Sequence, residues 1–174
     1  MSSTDYVYSA YSARHGVVPT LEFKHQLSRV FFEVRNRGQE DITLTDISVE
    51  TITDGTLNVV NQTLTPGSTR KKLQVAMSAM ELPKITYEFA TVCHAADGKE
   101  ILSSIMIFPQ DDSNLILTLA KEDNVRLLYL PLNTSGMMMA AAACRVQITV
   151  YSLEEVAVTI ALDSWSPDQW IDAD

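Results

Sequence analysis

Apolar residues recur at every second position along almost the whole chain, and that beat leaves few folds open to it. Val30, Phe32 and Val34 alternate with Phe31, Glu33 and Arg35. The same spacing appears in Ile42-Leu44, Ile47-Val49, Leu73-Val75-Met77 and Ile85-Tyr87-Phe89. It returns in Leu115-Leu117-Leu119, Val125-Leu127-Tyr129 and Val156-Val158-Ile160-Leu162. Side chains two apart share one face of a strand, so each run offers one apolar and one mixed face. Turn signals separate the runs: Asn36-Arg37-Gly38, Asp54-Gly55, Pro66-Gly67, Asp97-Gly98 and Asn133-Thr134-Ser135-Gly136. Strands of this length between turns, with no long amphipathic helix, predict an all-β fold, an antiparallel Greek-key sandwich.

One stretch resists that reading. Residues 137–143 read MMMAAAA, and methionine and alanine favour helix, so a helical turn is expected there before the alternating CRVQITVYS. The three methionines are read as core filler. No repeat or linker divides the 174 residues, so residues 1–174 are expected to form one domain. Residues 1–20 are set apart as an extended N-terminal segment, and residues 166–174 as an acidic tail.

The charge balance narrows the partners. Asp and Glu outnumber Lys and Arg by 22 to 13, a net charge of −9, which argues against a nucleic-acid partner. The basic run Arg70-Lys71-Lys72 follows the Pro66-Gly67 turn and is read as a solvated strand entrance. No run of apolar residues is long enough to cross a membrane as a helix. The opening residues lack the basic and apolar regions of a secretory signal. Cys93 and Cys144 have no CxxC partner; two readings stand, buried thiols on inward faces or a disulfide.

Chemistry for catalysis is not legible. The histidines at positions 15, 25 and 94 are too far apart for a local metal pair, and no nucleophile elbow or glycine-rich phosphate loop occurs. The acidic loop Asp111-Asp112-Ser113-Asn114 lacks the ligand spacing of a calcium loop, and the sequons at Asn61 and Asn133 are weak signals. No enzyme activity, cofactor or metal is expected. Phe23, His25 and Leu27 alternate, so His25 is read as a structural residue on the core side of a strand, with a bulge near Ser28. Phe23, His25, Leu27, Val30 and Phe32 are the expected core of this segment.

Several stretches, in order, resemble the fimbrillin-like family, the type V pilus subunits (major or minor fimbrial subunits) of Bacteroidales. Leu21-Glu22-Phe23-Lys24-His25-Gln26-Leu27-Ser28-Arg29-Val30 is similar to its F-x-H-x-L-S segment, and Asp5-Tyr6-Val7-Tyr8-Ser9-Ala10 to a segment before it. Ile42-Thr43-Leu44-Thr45-Asp46-Ile47-Ser48-Val49 with Asp54-Gly55-Thr56-Leu57-Asn58 resembles a family strand and its turn. Ile105-Met106-Ile107-Phe108-Pro109-Gln110 and Ile160-Ala161-Leu162-Asp163-Ser164-Trp165 resemble two later signatures. Residues 140–148 depart from the family pattern in lacking its glycine and two tyrosines.

The resemblance implies a transthyretin-like sandwich exported as a lipoprotein precursor and displayed at the cell surface in a fimbrium on the outer membrane. Its signal and lipid anchor would lie upstream of this chain. It implies other pilus subunits, or copies of itself, as partners through strand exchange, with a host or bacterial surface ligand besides. In the family an arginine-specific protease trims an N-terminal strand to open the groove, and Arg14 is the candidate processing site. The segment from Val156 to Leu162 and beyond is the candidate donor. Trp170 and Trp165 are candidate ligand or partner contacts. The alternative is a secreted carbohydrate-binding sandwich module that uses those tryptophans.

Overall fold

The computed structural model describes residues 7–9, 24–61, 63–75, 77–84, 90–92, 104–109, 113–132 and 139–163. All regular structure in them is β-strand. A short antiparallel pair comes first, β1 (Val7–Tyr8) with β2 (Lys24–His25). Then follow β3 (Ser28–Asn36), β4 (Ile42–Ile52), β5 (Gly55–Asn58), β6 (Thr63–Pro66), β7 (Arg70–Gln74) and β8 (Met80–Leu82). The chain continues through β9 (Ala90–Val92), β10 (Ser104–Ile107), β11 (Ser113–Lys121), β12 (Asn124–Leu132), β13 (Ala143–Val150) and β14 (Val156–Asp163).

Two sheets carry the core. The first runs β10-β3-β13-β14, with β9 beside β3; the second runs β12-β11-β4-β7, with β8 beside β4. Their inner faces share one buried cluster, in which Val30, Phe32, Cys144, Val146 and Ile148 meet Leu44, Ile47, Val49, Leu115, Leu117 and Leu119. This is a β-sandwich, the architecture that the alternation demands, because each sheet has one apolar face to hide. Leu27, Val30 and Phe32 are buried, and His25 is half-buried opposite Val7; Phe23 lies outside the described residues.

One ladder departs from the antiparallel expectation. β3 and β13 run parallel across eight positions, from Arg29↔Ala143 to Asn36↔Val150. Parallel neighbours need a crossover, and here the crossover is the entire second sheet together with β9 and β10. Adjacency across more than a hundred residues leaves no local signal in a sequence.

The MMMAAAA stretch is not helical where it is described. Residues 139–142 form a turn closed by Ala142 N–H donating to the Met139 carbonyl at 2.9 Å. Ala141 has a left-handed φ of 61°, and its N–H donates to Leu27 O rather than along a helix. Ser28 Oγ donates to Met139 O at 2.8 Å, so the turn straps down the start of β3. The break between β2 and β3 falls at Gln26 and Leu27, beside the bulge expected near Ser28. The β3 ladder with β10 runs through Ser28 without a register shift, and the bulge occurs in β4: the β11 register shifts at Thr118/Leu119, and Thr45 Oγ1 donates to Thr118 O at 2.9 Å.

β12 presents the opposite face from the one its sequence offers first. Val125, Leu127 and Tyr129 alternate, yet all three are exposed; Leu128, Leu130 and Leu132 face the core. The run LLYLPL is apolar on both faces, so alternation alone does not choose between them.

Candidate functional site at an open sheet edge

The sandwich has two lateral sides, and they are built differently. On one side each sheet ends in two short strands laid end to end. β10 lies along Ser28 to Phe31 and β9 along Glu33 to Arg35 of β3. β8 lies along Ile42 to Leu44 and β7 along Ser48 to Ile52 of β4. On the other side the edge strands are unbroken: β12 has nine residues and β14 eight. Among the described residues each pairs on one side only. An edge of this kind offers a row of backbone donors and acceptors to another extended chain.

The core behind that edge is not closed. The register places Val156, Val158, Ile160 and Leu162 of β14 opposite Val150, Ile148, Val146 and Cys144 of β13, on the core-facing side. The four β13 residues are buried, but Val156, Val158 and Ile160 are only partly so, and Leu162 is 57% exposed. Across the gap, Leu128 and Leu130 of β12 are likewise partly buried. These side chains line an apolar strip between the two sheet edges, and Arg126 and Glu154 pair across one end of it at 3.0 Å. Both partners are well exposed, so that pair holds little.

The segment named as a candidate donor, Val156 to Leu162 and beyond, has a defined place in this chain as far as Asp163. It is β14, paired with β13 in its own sheet from Val150↔Val156 to Cys144↔Leu162. Its alternating residues Val156, Val158 and Ile160 pack against this chain's own core. Arg14, Trp165 and Trp170 lie outside the described residues. The sequence reading missed the edge itself, although a signal was present: VAVTIALD carries no charge before Asp163 and no proline, the devices that usually guard an edge.

Two polar regions complete the surface. On the outer face of the first sheet, Arg145 of β13 reaches Glu33 of β3 at 3.5 Å and Asp163 of β14 at 2.6 Å, tying three strands together. Arg35 adds two bonds to Glu33, at 2.6 and 2.9 Å, and the Arg29 guanidinium lies 4.6 Å from the Phe31 ring centre. Burial pushes the Glu33 carboxyl up, but hydrogen bonds and charge from Arg35, with bonds from Gln147 and Arg145, outweigh it and hold the group below its usual range. For Asp46 on the second sheet, burial is again outweighed, here by Ser48, Gln74 and Lys72. Burial alone raises the Cys144 thiol, which lies in the core; Cys93 lies outside the described residues.

The second region is a polar cleft of about 800 Å³ between Gln39, Glu40, Asp41, Glu81, Lys84 and Lys121. In it Lys121 pairs with Glu40 at 2.6 Å, and the Asp41 carboxylate accepts the Lys84 backbone N–H at 2.7 Å. Among the described residues no group of His, Cys, Asp or Glu is arranged to hold a metal ion, and no helix is long and apolar enough to cross a membrane.

Three crystal structures of Bacteroides proteins, each described as a "putative cell adhesion protein", superpose on this chain. The Bacteroides uniformis protein does so with a TM-score of 0.51 at 15% identity, over 84% of this chain and 53% of that one. For Bacteroides ovatus the values are 0.47, 16%, 85% and 48%. For Bacteroides fragilis they are 0.49, 15%, 86% and 50%. The chain thus spans about half the length of these structures. No curated protein matches the sequence. A family model described as fimbrillin-like matches residues 2–165, nearly the whole chain. The chain belongs to the fimbrillin-like family.

Proposed function

We propose that this protein is a cell-surface fimbrial subunit or adhesin, assembled when an extended segment of a neighbouring subunit adds to its open edge. The observation that carries the reading is the half-exposed apolar strip of Leu128, Leu130, Val156, Val158, Ile160 and Leu162, flanked by two edges without a second partner among the described residues. An added strand would bury that strip, and backbone pairing would supply direction and register. Family membership and the description of the structural neighbours support the adhesion role. Binding, rather than catalysis, is the work this surface suits, and it needs no cofactor.

The finer expectations belong to the same proposal. The chain acts as one transthyretin-like, Greek-key domain over residues 1–174, displayed in a fimbrium on the outer membrane through a lipid anchor upstream. Arg14 is the processing site, and Trp165 and Trp170 contact a partner or ligand. Size-exclusion chromatography with light scattering, before and after limited digestion by an Arg-specific protease, tests the reading. Ladders or fibres after a cut at Arg14, lost in Ile160→Lys, are the expected result. A monomer before and after the cut contradicts it.

A further inference from the structure

The fold carries a projecting arm that the strand-addition reading does not use. β5 and β6 pair from Gly55↔Pro66 to Asn58↔Thr63 and join neither large sheet; they extend the β4–β7 hairpin beyond the end of the sandwich. The base of the arm is fixed. The Asp54 carboxylate accepts Thr69 N–H and Thr69 Oγ1, each at 2.9 Å, and Gly67 N–H donates to Asp54 O at 2.8 Å. A Cβ at Gly67 would sit 2.5 Å from that carboxylate, and one at Gly55 would sit 2.5 Å from the buried Phe108 ring. At the tip, Asn58 Oδ1 accepts Val60 N–H at 2.9 Å and Asn61 N–H at 3.3 Å, an Asx turn that holds Val59 and Val60 outward. Those valines are 60% and 89% exposed. A hairpin pinned at its base and ending in two exposed valines is a knob.

A surface of matching character lies on the same molecule. On the outer face of β12, Val125, Leu127 and Tyr129 are 63%, 48% and 63% exposed, and they pair with the half-buried Ala120 and Thr118 and the buried Ile116 of β11. The registers put the two features at opposite ends. The arm leaves the end marked by Ile52↔Arg70, whereas Val125 lies next to the other end, at Lys121↔Asn124. Charge differs between the ends in the same sense. The exposed Arg70 and Lys71 sit at the base of the arm, with Lys72 paired to Asp46 at 3.3 Å. Beside the start of β12 are the exposed Glu122, Asp123 and Glu155, with Glu154 paired to Arg126. Four strand residues span about 13 Å, so the arm is about as long as the stripe from Val125 to Tyr129.

We infer that the β5–β6 arm of one copy docks on the outer face of β12 of a second copy, tip valines against Val125, Leu127 and Tyr129. The basic base of the first copy then meets the acidic end of the second. The contact is heterologous and head-to-tail, so it repeats along an axis instead of closing into a dimer. It stands on this chain's own surface and needs neither an added strand nor a protease cut.

The test is sedimentation velocity on the uncut chain against concentration, with tip variant Val60→Asp and stripe variant Leu127→Lys, folding checked by circular dichroism. Wild type is expected to associate beyond a dimer, and more weakly at high salt. Each variant should weaken association roughly tenfold or more, a loss of the order expected for one anchor residue. An equimolar mixture of the two variants should recover a dimer, because one intact tip and one intact stripe remain. If Leu127→Lys unfolds, Tyr129→Ser takes its place. A wild type monomeric up to about 1 mM overturns the proposal. Association untouched by both variants, or a mixture with no recovery, overturns it as well. Strand addition at the other face of β12 is read separately, since it follows digestion at Arg14 and responds to Ile160→Lys.

Discussion

The two lateral sides of the sandwich solve the same problem in opposite ways. Beside β4 the edge is cut into β7 and β8, and beside β3 into β9 and β10, so neither offers a long ladder. The β7 edge also carries Arg70, Lys71 and Lys72, the charged guard that natural sheets place on edges. The β12 and β14 edges are long and poor in charge, and the side chains behind them are half-covered. A protein that needed only to stay folded would guard both sides. The proposed function gives stability to one side and assembly to the other.

The largest effect that sharpens this contrast comes from paired truncations. Leu117→Ala removes a side chain buried between the sheets and is expected to destabilise by about 3 kcal/mol or more. Leu130→Ala, at the half-covered edge, is expected to cost about 1 kcal/mol because that site is already partly solvated. Urea unfolding of both variants measures the difference, and equal losses would erase the distinction between closed core and open edge.

An inward lysine tests the edge itself. Ile160→Lys puts a charge on the core-facing side of β14 at a place where its amine can still reach water. Stability is expected to fall by roughly 1–2 kcal/mol, while the assembly that follows digestion at Arg14 is lost outright. Retained assembly in light scattering would place the receiving edge elsewhere.

Acid acts on the outer network. Glu33 and Asp46 both titrate below their usual values in the fold, so they bind fewer protons there than in the unfolded chain. Their contribution is present above about pH 4, near the unfolded values, and is lost as pH falls through the lower folded values. Glu33→Gln is expected to flatten the acid limb of stability against pH, measured by chemical denaturation between neutral and strongly acid pH. An unchanged limb would mean that the network tying β3, β13 and β14 contributes nothing.

The smallest effect lies in the β11–β12 turn. Glu122 has a left-handed φ of 50°, which glycine adopts without strain. Glu122→Gly is expected to stabilise by up to about 1 kcal/mol, seen as a small rise in Tm.

Much of the fold was legible because alternation reports burial directly. The runs through Val30, Ile47 and Leu117 gave strands whose apolar members are buried. What escaped depends on neighbours distant in sequence. Nothing in Gln147 announces that it lies beside Glu33 in a parallel ladder. Nothing in LLYLPL says which of two apolar faces meets the core. The edge was half legible: VAVTIALD showed an unguarded strand, but its position at the rim of a sheet is a property of topology. The alanines after Met139 misled, since their helix preference yields to a turn that straps β3.

Amide hydrogen exchange, compared between monomer and assembled protein, tests the central claim most directly. If an extended segment adds at the open edge, amides of β14 or β12 that exchange in the monomer become protected on assembly, while β7 to β10 stay as they were. New protection confined to β7 to β10, with β12 and β14 unchanged, would contradict the assignment of the two sides.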